Sequence, residues 1–211
     1  MGDSRSLLLA GLEQLGLPAD NQKVDRLWAF AGLIEKWNNA YNLTAIRSRQ
    51  DIVCLHILDS LAVHPYLQGP EIIDIGTGAG LPGIPLAIFS PENSFTLLDS
   101  NSKKTRFVQQ VQLDLKLENV AVRHARAEQF EPDGNRYDTV ICRALAGIEA
   151  IIDYADHLLS EHGILLAMKG QNPEEELNQL NRPFTVIPIK VPGVDADRCL
   201  VQIRNLNIQN G

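Results

Sequence analysis

Residues 71–83 read EIIDIGTGAGLPG. A short apolar run ends in Asp74, and glycines then fall at alternate positions, Gly76, Gly78 and Gly80. Glycine has no Cβ, so a loop of this kind lets the backbone come very close to another group. Nucleoside triphosphates, dinucleotides and sulfonium cofactors are all bound by glycine turns that follow a strand. The triphosphate reading fails, because its loop ends in Gly-Lys-Ser/Thr and this one ends in Leu81-Pro82-Gly83. The dinucleotide reading is harder to dismiss. GAGLPG (78–83) satisfies G-x-G-x-x-G, and Asp99 follows about 20 residues on, after the next apolar run. Asp74 points elsewhere, since the fuller motif is D-x-G-x-G-x-G. An anion there sits poorly beside a pyrophosphate but well near the ammonium end of S-adenosylmethionine.

Outward from this loop the chain changes character near residue 70. Before it the pattern is helical. The first twenty residues carry an apolar run interrupted by Glu13 and Gln14, which reads as a helix rather than a signal peptide. Asp20 or Asn21 can cap a helix whose apolar positions are Val24, Leu27, Ala31 and Ile34. Ser48 with Asp51 resembles a capping box before IVCLHILDSLAV, and WNNAYNLTAI (37–46) between these helices reads as a loop. After residue 70, the β-type runs EIIDIG, FTLLDS, VAVRHA, YDTVICRA and GILLAMK alternate with helical PGIPLAIFS, KKTRFVQQVQLDLKL and IEAIIDYADHLLSE. NPEEELNQL adds a further helical stretch. Such alternation predicts a mostly parallel sheet covered on both faces. FTVIPIKV and RCLVQIRN follow with no helix between them, which predicts an antiparallel pair at one edge. That edge suits Rossmann-like methyltransferases better than dehydrogenases. The expected fold is therefore α/β, a Rossmann-like sheet with an antiparallel last strand. Residues 1–69 would form a helical extension packed on a methyltransferase core of residues 70–211.

Composition limits the function. Of 211 residues, 45% are hydrophobic and 21% charged, the balance of an ordinary globular chain without a run long enough to span a bilayer. The three cysteines, Cys54, Cys142 and Cys199, form no C-x-x-C pair, and the five histidines show no metal-binding spacing. No metal site or disulfide framework is expected, and a reducing cytoplasm is. The net charge of −7 argues against nucleic acid when taken alone, but the placement of cations matters more than their sum.

Ligands of open α/β sheets bind at the carboxyl edge, which directs attention to strand ends. Asp99 ends the second strand, where a carboxylate can accept ribose hydroxyls; a helix cap is its alternative role. Ala127 and Glu128 follow the third strand, where such folds hold adenine. Arg126, Arg143 and Lys169 also stand at strand ends, and three cations around one mouth suggest a phosphate-bearing acceptor. Arg47, Arg49, Lys103, Lys104 and Arg106 would widen that surface. The acceptor is narrowed by absences. No D/N-P-P-Y/F segment follows the fourth strand, and Cys142 lies in an apolar strand as a packed core residue rather than a nucleophile. A cationic rim without an evident base or nucleophile fits attack by a ring nitrogen that already has a free lone pair, such as guanine N7.

WNNAYNLTAI (37–46), HILDSL (56–61), DIGTGAGLPGIPLAI (74–88), LLDSNSKKTRFV (97–108), RAE (126–128), RA (143–144) and KG (169–170) together resemble the bacterial 16S rRNA guanine-N7 methyltransferases, RsmG or glucose-inhibited division protein B. The likeness spans nearly the full length. It implies methyl transfer from S-adenosylmethionine to N7 of guanine 527, in the 530 loop of 16S rRNA, on the RNA or the small ribosomal subunit. It further implies cofactor contacts at Gly76, Leu81, Ala127, Glu128 and Arg143, with Arg126 and Lys169 serving activity or RNA. In the combined reading, Asp74 with Gly76, Gly78, Gly80 and Leu81 holds the methionine end, Asp99 the ribose, and Ala127-Glu128 the adenine. Arg143 orders the target base. Two positions depart from many relatives, Cys142 in place of serine and Arg204 in place of lysine. The readings that compete are a methyltransferase for a small anionic metabolite, an NAD-binding oxidoreductase, and an RNA-binding module that senses the cofactor.

Overall fold

The structure, a computed structural model, describes residues 4–18, 20–132, 134 and 136–204. Its β-type runs form β1 (Glu71–Ile75), β2 (Ser94–Asp99), β3 (Val120–His124), β4 (Tyr137–Arg143), β5 (Leu159–Lys169), β6 (Phe184–Pro188) and β7 (Cys199–Arg204). Across the sheet these lie in the order β3-β2-β1-β4-β5-β7-β6. The first five are parallel, and β7 runs antiparallel to both β5 and β6. The order reverses beside β1, so a crevice opens at the carboxyl ends of β1 and β4, where such sheets bind ligands.

Helices are α1 (Ser4–Gln14), α2 (Asn21–Tyr41), α3 (Arg49–Ile52), α4 (Asp59–Leu61), α5 (Gly83–Phe89), α6 (Ser102–Asp114), α7 (Ile148–Ala155) and α8 (Glu174–Leu177). Successive strand residues point to opposite faces, and the core divides accordingly. Ile72, Leu97, Ile141, Leu166 and Leu200 join one apolar cluster with Leu8, Leu27, Phe30, Ile57, Ile84 and Phe107. Ile73, Leu98, Val140, Leu165 and Val201 join the other with Ile148, Ile151 and Leu177. The helices before β1 thus share a core with one face of the sheet. No described helix is long and apolar enough to cross a membrane.

Three local expectations need correction. WNNAY (37–41) is the last turn of α2 rather than loop. Asn38 is buried and spends its amide on Thr44 and Ile46, while Asn42 ends the helix at φ 50°. Polar composition suggested a loop there, but the polar groups are bonded inward. The segment read as one helix over IEAIIDYADHLLSE stops early, and β5 begins at Leu159. NPEEELNQL yields a single turn, Glu174–Leu177. By contrast, Asp20 caps α2 through Lys23 N and Ser48 caps α3 through Asp51 N, as the sequence predicts.

Between α3 and α4 the helix widens into a π-helical turn, Val53–Leu58. Such turns occur frequently at functional sites. This one carries Leu55 and His56 with Asp59 to the mouth of the crevice.

Candidate active site

At that mouth lies a cavity of about 540 Å³, within the range that small-molecule sites occupy. The glycine loop forms one wall through Gly76, Thr77, Gly78 and Leu81. The π-turn and α4 contribute Leu55, His56 and Asp59; strand ends contribute Arg143 and Lys169; and the β6–β7 connection contributes Ile189 and Arg198.

The three glycines do different things. All have positive φ, which favours glycine. A Cβ at Gly76 would overlap Leu145 Cδ1, and one at Gly80 would lie 2.6 Å from Ile84 Cγ1, so protein fills those faces. A Cβ at Gly78 would meet nothing nearer than 3.8 Å. Only Gly78 of the three turns an open face to the cavity.

The loop's amides are mostly spoken for. Thr77 N donates to Leu98 O, Gly78 N to Asp99 Oδ2 at 2.8 Å, and Gly80 N and Leu81 N to Thr77 O. Gly83 N, at the start of α5, donates to Asp74 Oδ2 at 2.9 Å, and Thr77 Oγ1 donates to the same oxygen at 2.6 Å. Asp74 is fully buried and its Oδ1 has no partner; burial pushes its carboxyl up to about 7. It therefore fastens the loop from behind and does not line the cavity.

Opposite the loop, one buried carboxylate holds two guanidiniums. Asp59 Oδ2 accepts from Arg143 Nη1 at 3.1 Å, and Oδ1 accepts from Arg198 Nε at 2.8 Å. Arg143 Nη1 also donates to Leu55 O. His56 lies beside them, and burial with the neighbouring Arg143 lowers its pKa to about 4, so it is neutral. Its Nδ1 is 2.9 Å from Leu55 O, which can only accept, so Nδ1 carries the proton. Nε2 then accepts from Thr44 Oγ1 at 2.8 Å. Lys169 donates to Ala146 O at 2.8 Å and pairs with Glu176 at 3.4 Å. Ala144, next to Arg143, has φ 50°, a strain of ~1–2 kcal/mol for an L-residue and of a kind that gathers at functional sites.

Residues 23–201 match the family described as rRNA small subunit methyltransferase G. The chain belongs to that family. Its methyltransferase G relatives include proteins from Shigella dysenteriae serotype 1, 44% identical over 196 residues (92% of this chain, 94% of the relative), and Nitrosococcus oceani, 45% identical over 202 residues (94% of each). Solved structures show the same fold at low identity. A methyltransferase from Geobacter sulfurreducens superposes with a TM-score of 0.60 at 15% identity, covering 96% of this chain and 98% of that one. Magnesium protoporphyrin IX methyltransferase from Synechocystis, solved with bound S-adenosylmethionine, gives 0.57 at 19% identity, covering 83% and 97%.

The structure brings Gly76, Gly78, Leu81, Arg143 and Lys169 to one cavity. Asp74 lies behind the loop, Gly80 is packed against Ile84, and Asp99 is buried beneath Gly78. Asp99 does not cap α6; Asn101 does, through Lys103 N and Lys104 N. Arg126, Ala127 and Glu128 stand at the end of the edge strand β3, outside the cavity wall, with Arg126 exposed and 3.7 Å from Glu128. Of the wider basic set, Lys104 lines the cavity, while Arg49 is held by Glu35 and stacks on Trp28. Cys142 is buried and its thiol is pushed up to about 12 by burial, so it serves packing. His56, Asp59 and Arg198 were not singled out from the sequence. The spacing of His56 and Asp59 places them on one helical face, a signal available within HILDSL. Nothing local marks Arg198.

Proposed function

We propose that the protein methylates N7 of guanine 527, in the 530 loop of small-subunit rRNA, with S-adenosylmethionine as donor, in the cytoplasm. The observation that carries this reading is the cavity lining: among the described residues, four cations face one carboxylate, and two of those cations already bind it. Lys104, Arg143, Lys169 and Arg198 oppose Asp59 alone. Asp59 is engaged on both oxygens, His56 on both nitrogens, and Cys199 donates to Gln171 O. A nucleophile that had to lose a proton first would find each candidate base among these already bonded to protein. A purine ring nitrogen needs none, and the cations suit the phosphates around it despite the acidic chain.

The residues present fit the donor. Gly78 leaves an open face on the cavity, and each oxygen of buried Asp99 makes one bond and keeps acceptor capacity for a ribose hydroxyl. When bound, S-adenosylmethionine supplies an electrophilic methyl carbon whose bond to sulfur breaks as the bond to the acceptor nitrogen forms, leaving a neutral thioether and a cationic purine. Asp74 and Asp99 keep the loop rigid for that encounter, and Arg143 and Lys169 orient the anionic partner, so the protein contributes positioning and electrostatics. Ala127 and Glu128 would bound the adenine end. The dinucleotide reading loses support at Asp74, whose carboxylate occupies the amide at the start of α5 where a pyrophosphate would need to sit. The test is incubation with labelled S-adenosylmethionine and 16S rRNA or small subunits lacking the modification, followed by mapping. Label on N7 of that guanine is expected. Turnover of a small metabolite without RNA, or label on another atom, overturns the reading.

A further inference from the structure

Two arginines from distant parts of the chain meet on Asp59, and each keeps donors to spare. Arg143 comes from the end of β4, 84 residues away, and Arg198 from the segment before β7, 139 residues away. Asp59 is 4% exposed, so its charge is compensated almost wholly by these two partners. Arg143 Nη1 and Arg198 Nε are committed to it, and Arg198 Nη1 donates to Asp197 O. Among the described residues, Arg143 Nε and Arg198 Nη2 have no acceptor. Arg143 Nη2 is 3.5 Å from His56 Nδ1, which itself carries a proton and cannot accept. Both guanidiniums line the cavity, and so does Lys169. That wall is rich in donors, with its one carboxylate consumed in holding them.

We infer that Asp59 is the positioning residue of the acceptor pocket, aiming the spare N–H donors of Arg143 and Arg198 at an exocyclic carbonyl of the acceptor purine. The inference rests on the N7 reading above and extends it to specificity. Adenine also has an N7 lone pair, so reactivity at that atom cannot separate the two purines. Position 6 can: guanine presents a carbonyl that accepts, adenine an amino group that donates. Donors facing an amino group are left unpaired in a partly desolvated site, and such sites reject the mismatched analogue strongly. Donation to O6 alone also leaves N7 free for the methyl carbon, whereas the usual bidentate arginine contact to O6 and N7 would block it. Asp59 fixes that choice by taking one donor from each arginine.

The experiment places single purine analogues at the target position of the small-subunit RNA and measures methyl transfer by the full chain. Inosine keeps O6 and N7 but lacks the 2-amino group; 2,6-diaminopurine keeps N7 and the 2-amino group but replaces O6 with an amino group. Inosine is expected to react within about threefold of guanine, and 2,6-diaminopurine roughly hundredfold more slowly in kcat/KM. Asp59→Asn is assayed at S-adenosylmethionine concentrations that calorimetry on the same variant shows to be saturating. It should lower transfer to guanine and shrink the guanine to diaminopurine ratio, with Asp59→Glu recovering part of that ratio. Equal rates on guanine and diaminopurine with the native protein, both labelled at N7, overturn the inference while leaving the N7 reading intact. A fall of both rates by one factor in Asp59→Asn makes Asp59 merely structural. Label elsewhere than N7 removes the underlying reading, and this inference with it. Should Asp59→Asn fail to fold, the analogue series on the native protein still decides.

Discussion

Adding one methyl group at Gly78 is expected to separate folding from cofactor binding. Its φ of +60° lies where an L side chain costs ~1–2 kcal/mol, and removing glycine from the unfolded chain returns about 0.4–1 kcal/mol. The new Cβ meets only Gly76 O at 3.8 Å and Lys104 Nζ at 3.9 Å, both ordinary contacts. Gly78→Ala should therefore lose about 1 kcal/mol, a fall in Tm of roughly 2–4 °C for a chain of this length. The same change five residues on behaves differently. A Cβ at Gly83 would overlap Leu97 Cδ2 and lie 2.8 Å from Asp74 Oδ2, inside the core. Gly83→Ala should lose about 3 kcal/mol or more, as overpacked cores do. Scanning calorimetry measures both, and titration calorimetry with S-adenosylmethionine measures binding. Gly78→Ala should remain folded and bind at least tenfold more weakly, because the methyl takes up space that the cofactor needs. Unaltered affinity in a folded Gly78→Ala protein would show that no ligand lies against that face.

Asp74 should impose a pH dependence on stability. Its folded carboxyl holds a proton up to about pH 7 against 3.8 for the ordinary group, so this contribution is full below about pH 4, is lost as pH rises to about 7, and is flat above. Asp74→Asn should flatten the profile by up to about 1.4 kcal/mol per pH unit in that window, measured by urea unfolding; an identical slope in both proteins refutes the shift. Asp99→Ala removes the acceptor of Gly78 N and Asn101 N, and should weaken S-adenosylmethionine by roughly tenfold to a hundredfold. Calorimetry showing unchanged affinity in the folded variant counts against the ribose assignment. RNA binding should weaken steeply with salt, and Lys104→Ala should reduce the slope of log K against log salt by about one. A slope near zero in the native protein would favour a small acceptor.

Much of the fold was legible because period-two burial and strand–helix alternation are local signals. Ile72 and Ile73 already announce opposite faces, and the sheet places them in opposite cores. The ends of elements were less legible, since polar WNNAY looks like loop until Asn38 is seen bonding inward to Thr44 and Ile46. For the site, the glycine loop and the strand-end cations Arg143 and Lys169 follow from topology, because parallel strands deliver their ends to one edge. The division of labour in the loop does not follow. Only the tertiary packing reveals that Gly76 and Gly80 face Leu145 and Ile84 while Gly78 faces open space. Arg198 was invisible for a deeper reason: its partner lies 139 residues away, and no periodicity reaches that far.

The place of β7 has a consequence for biogenesis. Among the described residues it is the last strand in chain order, yet it lies between two others, with six paired positions on β5 and five on β6. A nascent chain that has emerged only to Pro188 has β6 but nothing to seat it against. Until β7 inserts, β5 remains an eleven-residue open edge carrying Ile164, Leu165, Leu166 and Ala167, the kind of edge that captures other chains. Arg198 immediately precedes that strand, so the same insertion that seals the edge also delivers the second guanidinium to Asp59. Sealing that edge and completing the Asp59–arginine cluster are thus a single event.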